Sequence, residues 1–174
     1  APDGHLYVAL LGLNAVAHLD TQGQLLPMLA EGKLKGPVGI AWGAQDRLWI
    51  TERYAHRVAV INPAKESLET NIGQGRAAST LFAPIGICKD HAGRMLVVDS
   101  GNSRIIRILP SGNMEIHCEG PVDASGRLLQ PLNLCTESNR GEGIWITDVR
   151  RHEIILLDAS GRFVRKVGGC GLRN

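Results

Sequence analysis

Apolar residues in this chain come in short runs separated by polar corners, and the runs recur in register. PVGIAW at Pro37, PIGICK at Pro84 and PLNLCT at Pro131 start 47 residues apart. Each is followed by a polar turn and a second apolar run, DRLWITE from Asp46, GRMLVVD from Gly93 and GEGIWITD from Gly141. After a further corner comes a third run: RVAVI from Arg57, RIIRIL from Arg104 and EIILLD from Glu153. The N-terminal part carries the same second and third elements, DGHLYVAL from Asp3 and AVAHLD from Ala15, with no proline string before them. Turn signals in LDTQGQ, INPAKE, LPSGN and LDASGR separate these runs from a weaker fourth segment, of which GRFVRKV from Gly161 is an example.

Four short strands per unit, in units of about 40 to 50 residues, is the scale of a propeller blade. Runs such as LWI, MLVV and IILL are apolar at consecutive positions, as strands are when both sheet faces are covered. A parallel α/β sheet also covers both faces, but it needs helices between its strands, and no apolar period of 3.6 residues is present. The pattern predicts an all-β fold, a β-propeller of four-stranded antiparallel blades. About four blades are visible, as units 1–36, 37–83, 84–130 and 131–174, three complete and the first lacking its innermost strand. Breaks are expected near Gly43, His91, Asn113 and Ser160, with no helix longer than two turns between residues 37 and 167.

The corner between second and third strands repeats its charges. Glu52 precedes Arg57 by five residues and Asp99 precedes Arg104 by five. Repetition marks framework rather than a unique site, so the pairs are expected to pin the corner through charge-assisted contacts. A shielded pair of this kind is expected to contribute about 1 to 3 kcal/mol. Asn102, beside Gly101, suits a left-handed corner residue. In the last unit Asp148 meets Glu153, with Arg150 and Arg151 as replacement partners, and in the first unit Leu10 and Ala15 make the corner apolar. The corners lie on the same rim as the connections into the next blade. That rim is the candidate binding face and carries Glu52, Arg53, Tyr54, His56, Asp99, Asn102, Asp148, Arg150, Arg151 and His152.

Composition narrows the chemistry. Lys and Arg number 19 against 17 Asp and Glu, a net charge of +2 with no run of like charges, so nucleic acid is not favoured. The longest apolar stretch, Leu6 to Ala17, is too short to span a bilayer, and no membrane association is expected. The four cysteines lack CxxC spacing. Cys88 and Cys135, at equivalent places on neighbouring inner strands, are expected to be small buried packing residues, and Cys118 and Cys170 lie near ends of outer strands without a partner. His56 and His152 are equivalent too, but belong to the second and fourth units, too far apart to share a metal. No cofactor and no metal is expected.

The succession P-x-G-I-A, G-x-h-h-V-x-D (h for apolar) and G-N-x-R-I, seen best from Pro84 to Leu109, resembles the NHL repeat over nearly the whole chain. That resemblance implies a six-bladed ring, of which four units are a part. PVGIAW followed by RLWITE and RVAVINP is similar to streptogramin lyase repeats, and all units more distantly resemble the gluconolactonase and regucalcin group. A gluconolactonase would carry a cation-holding Asn or Asp after each proline, where this chain has Val38, Ile85 and Leu132. A lyase would carry a catalytic histidine there and a glutamate in the following W-x-T-E. Glu52 matches that glutamate and is the single catalytic candidate; Val38 does not match the histidine.

The expected function is therefore a binding or scaffolding module that takes a protein or small ligand on its loop rim. The alternative is a lyase or hydrolase whose catalytic residues lie mostly outside this chain. An open arc of blades would expose apolar faces, so self-association or continuation in a longer chain is expected.

Overall fold

A computed structural model describes residues 1–73, 80–119, 121–123, 126–137 and 143–169. The first sheet has three strands, β1 (Leu6–Leu10), β2 (Ala15–Leu19) and β3 (Leu25–Leu29). The second is β4 (Pro37–Trp42), β5 (Leu48–Glu52), β6 (Arg57–Asn62) and β7 (Ser67–Ile72). The third is β8 (Ile87–Lys89), β9 (Met95–Asp99), β10 (Arg104–Ile108) and β11 (Met114–Cys118). A hairpin of β12 (Pro121–Asp123) and β13 (Gly126–Arg127) follows, and the last sheet is β14 (Pro131–Thr136), β15 (Ile144–Asp148), β16 (Glu153–Leu157) and β17 (Phe163–Gly168).

Every sheet is an antiparallel meander in sequence order. Among the described residues helix appears only as three-residue 3₁₀ turns. The small hairpin was not expected from the sequence. The strand expected from Pro84 starts its regular ladder only at Ile87, although Ile85 and Gly86 still exchange backbone bonds with Val98.

The consecutive apolar positions acquire a physical reason. On β9, Met95 and Val97 enter a cluster with Val58 and Ile72 of the preceding sheet and Leu81 of the connection between the two. Leu96 and Val98 enter another with Leu134, Ile144 and Ile146 of the following sheet. Alternate side chains leave opposite faces of a strand, so a strand between two sheets must be apolar throughout. All four are at most 2% exposed. The first and second sheets are joined likewise, through Val16, Leu29, Leu34, Ile50 and Ile61.

The turns rest on short-range chemistry. Asp20, Asp90 and Asp158 each accept two backbone N–H groups, at i+2 and i+4, through one carboxylate oxygen. These are Asx turns, in which the side chain takes the place of a backbone acceptor. The expected breaks fall in these and related turns; Gly43 donates to Arg47 O, and Asn113 O accepts from Leu109.

The glycine of the proline string is a close-approach residue. A Cβ on Gly39 would lie 2.2 Å from the Ile85 carbonyl oxygen, and one on Gly86 would lie 2.8 Å from that of Leu132. Inner strands of adjacent blades meet here backbone to backbone. In the last sheet Asn133 occupies the corresponding position.

Candidate functional site

The corners between second and third strands are built alike. Each runs through a short turn into one residue of left-handed conformation placed directly before the third strand: Asn14 (φ 52°), His56 (55°), Ser103 (53°) and His152 (56°). The sequence had assigned this role in the third corner to Asn102. The 3₁₀ turn spans Ser100–Asn102, which moves the left-handed residue one place on. The amide of Asn102 instead donates to Asp99 Oδ2 at 2.8 Å and to the Thr80 carbonyl at 3.3 Å. The equivalence of His56 and His152 is thus one of backbone conformation.

The corner carboxylates are buried. Glu52 and Asp99 are 0% exposed and Asp148 1%. Arg104 Nε donates to Asp99 Oδ2 at 2.7 Å, and Arg57 donates to Glu52 through both Nε and Nη2. Each acid also reaches back to the connection that enters its own blade. Glu52 accepts the Lys35 N–H at 2.6 Å, Asp99 the Phe82 N–H at 2.6 Å, and Asp148 the Leu129 N–H at 2.7 Å. Lys35, Phe82 and Leu129 each stand two residues before the proline of their string. The acid is therefore a three-way knot of second strand, corner and incoming connection.

In the fourth corner Asp148 also accepts the backbone N–H groups of Gln130 and Arg151. The Arg151 guanidinium lies against Glu153, Nε to Oε2 at 2.8 Å, and also bonds the Arg127 carbonyl. In the first corner Ala15 is buried as expected, and the Asn14 side chain accepts the Gly36 N–H at 2.8 Å, a polar tie the sequence reading missed.

The ten rim candidates thus separate by environment. The three acids lie beneath the surface. His56 accepts the Ala83 N–H through Nδ1 at 3.0 Å and stacks on Phe82. Tyr54 is 63% exposed, with its ring over Gly36. Asn102 and Arg151 are bound as described, and His152 is exposed. Arg53 and Arg150 are exposed, and among the described residues neither guanidinium has a partner.

These two arginines line one open depression of about 540 Å³ over the third blade. Ile85, Leu132 and Leu129 line it together with Ser100, Ser103 and Gln130, and polar groups make up the larger share of its lining. Among the described residues no carboxylate lines it. The sequence reading missed Phe82, Leu129, Gln130 and the two serines as rim residues. The signal that finds them is their fixed offset from the prolines and from the corner acids.

The cysteines depart from expectation in one case. Cys118 is buried and Cys88 half-buried, and burial pushes their thiols up to about 11 and about 12. Cys135 is exposed, because Leu134 beside it turns into the core and leaves Cys135 on the opposite face of β14. Cys170 lies outside the described residues. Among the described residues no group of three or more His, Cys, Asp or Glu is arranged around a common metal position.

Meandering blades in file, with inner strands in contact and corners knotted by a buried acid, define a β-propeller. The repeats are similar to NHL repeats: over 107 residues the chain is 29% identical to NHL repeat-containing protein 2 of Gallus gallus, a match covering 56% of this chain and 14% of that protein. No family model matches. Among solved structures, a streptogramin B lyase superposes with a TM-score of 0.77 at 17% identity, over 99% of this chain and 53% of that one. A gluconolactonase of Xanthomonas campestris superposes with a TM-score of 0.67 at 19% identity, over 92% of this chain and 53% of that one. The chain thus spans about half the length of these solved chains and a smaller share of the curated relative.

Proposed function

We propose that this chain is a propeller binding module, made of units 1–36, 37–83, 84–130 and 131–174, that takes a protein partner on its loop rim. The observation that carries the reading is the fate of the acids. Glu52, the one catalytic candidate, is fully buried and its oxygens are engaged by Arg57 and the Lys35 amide. A general acid or base must reach its substrate within hydrogen-bond distance, and Glu52 is unexposed and does not line the rim depression. Where the lyase and gluconolactonase groups would place their polar residues, this depression has the apolar side chains of Ile85 and Leu132.

The test replaces Gln130, an exposed residue on that depression, by tryptophan. Gln130→Trp should abolish partner binding while the urea midpoint stays within error of wild type. The enzymatic alternative predicts the opposite sensitivity: lactone or cyclic-ester turnover by the intact chain, lost in Glu52→Gln. Turnover with that loss would replace the binding reading.

A further inference from the structure

We infer that the rim depression is a receptor for an acidic, apolar peptide segment, clamped between Arg53 and Arg150; this rests on the rim-binding reading above. The first ground is charge. All three corner carboxylates are buried below the surface and engaged by donors of the frame, so none is available to neutralise the arginines above them. Among the described residues both guanidiniums are unpaired, and an arriving carboxylate displaces no existing ion pair. An arginine of this kind can bind a carboxylate through two parallel N–H groups, a geometry a lysine lacks.

The second ground is the apolar surface around them. Tyr54, Phe82, Leu129 and Val149 are 63%, 51%, 50% and 45% exposed. All four stand at corners or connections of this rim. Arginine and aromatic residues beside apolar contact surface, with few carboxylates and lysines, is the composition of the energetic centre of a protein interface. A purely solvated loop surface has no need of it.

The third ground is shape. The depression is open and spreads across the entries of two blades, from Ala83 and Ile85 to Gln130 and Leu132. That suits an extended segment laid across it better than a small molecule, which needs enclosure on most sides. Single-stranded nucleic acid would require a longer basic track with several stacking rings.

The experiment selects a random displayed peptide library on the intact chain and, in parallel, on Arg53→Glu/Arg150→Glu. Affinities of the selected peptides are then measured by fluorescence anisotropy on wild type, each single arginine variant and Gln130→Trp. Both arginines are exposed and unpaired, so the variants should keep the wild-type unfolding midpoint. The expected result is enrichment of Asp and Glu next to Leu, Phe or Trp, at least about tenfold weaker binding to each arginine variant, and affinity that falls with added salt. The double variant should select basic peptides instead.

Peptides blocked by Gln130→Trp but without excess acid would overturn the acidic class and leave the rim reading standing. Peptides indifferent to Gln130→Trp and to both arginine variants would overturn the rim reading itself. Failure to enrich any peptide, or a uridine homopolymer displacing the selected peptides with the same arginine dependence, overturns the peptide assignment.

Discussion

Replacing Asp99 by alanine tests whether the corner acids are frame. Asp99 is fully buried and accepts from Arg104 Nε at 2.7 Å, from the Phe82 N–H at 2.6 Å and from the Asn102 amide at 2.8 Å. Arg104 is only 6% exposed, so alanine strips a buried guanidinium of its carboxylate. Breaking a buried pair by removing one partner costs about 3 to 5 kcal/mol, because the remaining charge stays desolvated. The sequence-based expectation of about 1 to 3 kcal/mol counted a single charge-assisted contact. The structure adds the connection amide and the asparagine to the same carboxylate, and the upper range of about 3 to 5 kcal/mol applies.

The assay is equilibrium urea unfolding followed by the fluorescence of Trp42, Trp49 and Trp145, with Asp99→Ala, Arg104→Met and the double variant compared with wild type. The double variant should lose less than the sum of the singles, by about 1 kcal/mol or more, since it removes both charges of the pair. Loss below about 1 kcal/mol in Asp99→Ala with an unchanged denaturant slope would refute the reasoning, as would full additivity of the pair. So would loss of partner binding at unchanged stability, which would return Asp99 to the site.

Other expectations follow from neighbouring features. Burial first, and the Arg107 guanidinium second, push the His117 imidazole down to about 4. The folded state thus holds it neutral while the unfolded chain takes up a proton below about 6.5, so stability should fall by up to about 3 kcal/mol from pH 6.5 to pH 4. His117→Leu should flatten that slope in urea titrations at several pH values, and an unchanged slope would dismiss the assignment. Maleimide labelling at neutral pH, mapped by mass spectrometry, should modify Cys135 at once and Cys88 and Cys118 only after denaturation; early labelling of Cys88 would contradict its burial. Gly39→Ala, whose Cβ would strike the Ile85 carbonyl, should destabilise by about 1 to 3 kcal/mol, whereas Gly23→Ala, with nothing near its Cβ, should cost less through its left-handed backbone alone.

What the sequence made legible is what the repeat enforces. The run MLVVD could be read as a strand covered on both faces because each of its residues obeys the same rule as LWITE one unit earlier. The pairing of Asp99 with Arg104 was legible for the same reason, since Glu52 and Arg57 repeat it. What stayed hidden was set by a single residue's place in a turn or by contacts distant in sequence. The left-handed position fell on Ser103 because a 3₁₀ turn consumes Ser100–Asn102, and no composition rule separates those neighbours. The bond from Phe82 N–H to Asp99 joins positions 17 apart and leaves no mark in a residue type, because a backbone amide donates it.

The rim list shows the same division from the other side. Repetition identified Glu52, Asp99 and Asp148 as equivalent, and equivalence placed all three in one environment, below the surface and tied to a connection amide. Arg53 and Arg150 share no such tie. In the third corner the position corresponding to Arg53 is Ser100, and in the first it is Leu11. Arg150 stands where the second corner has Tyr54 and the third Gly101. A side chain that varies between equivalent corners is not required by the corner, and neither of these two arginines has a side-chain partner among the described residues. The framework uses what recurs; the proposed recognition by this blade array would draw on what the framework leaves unused, exposed and charged.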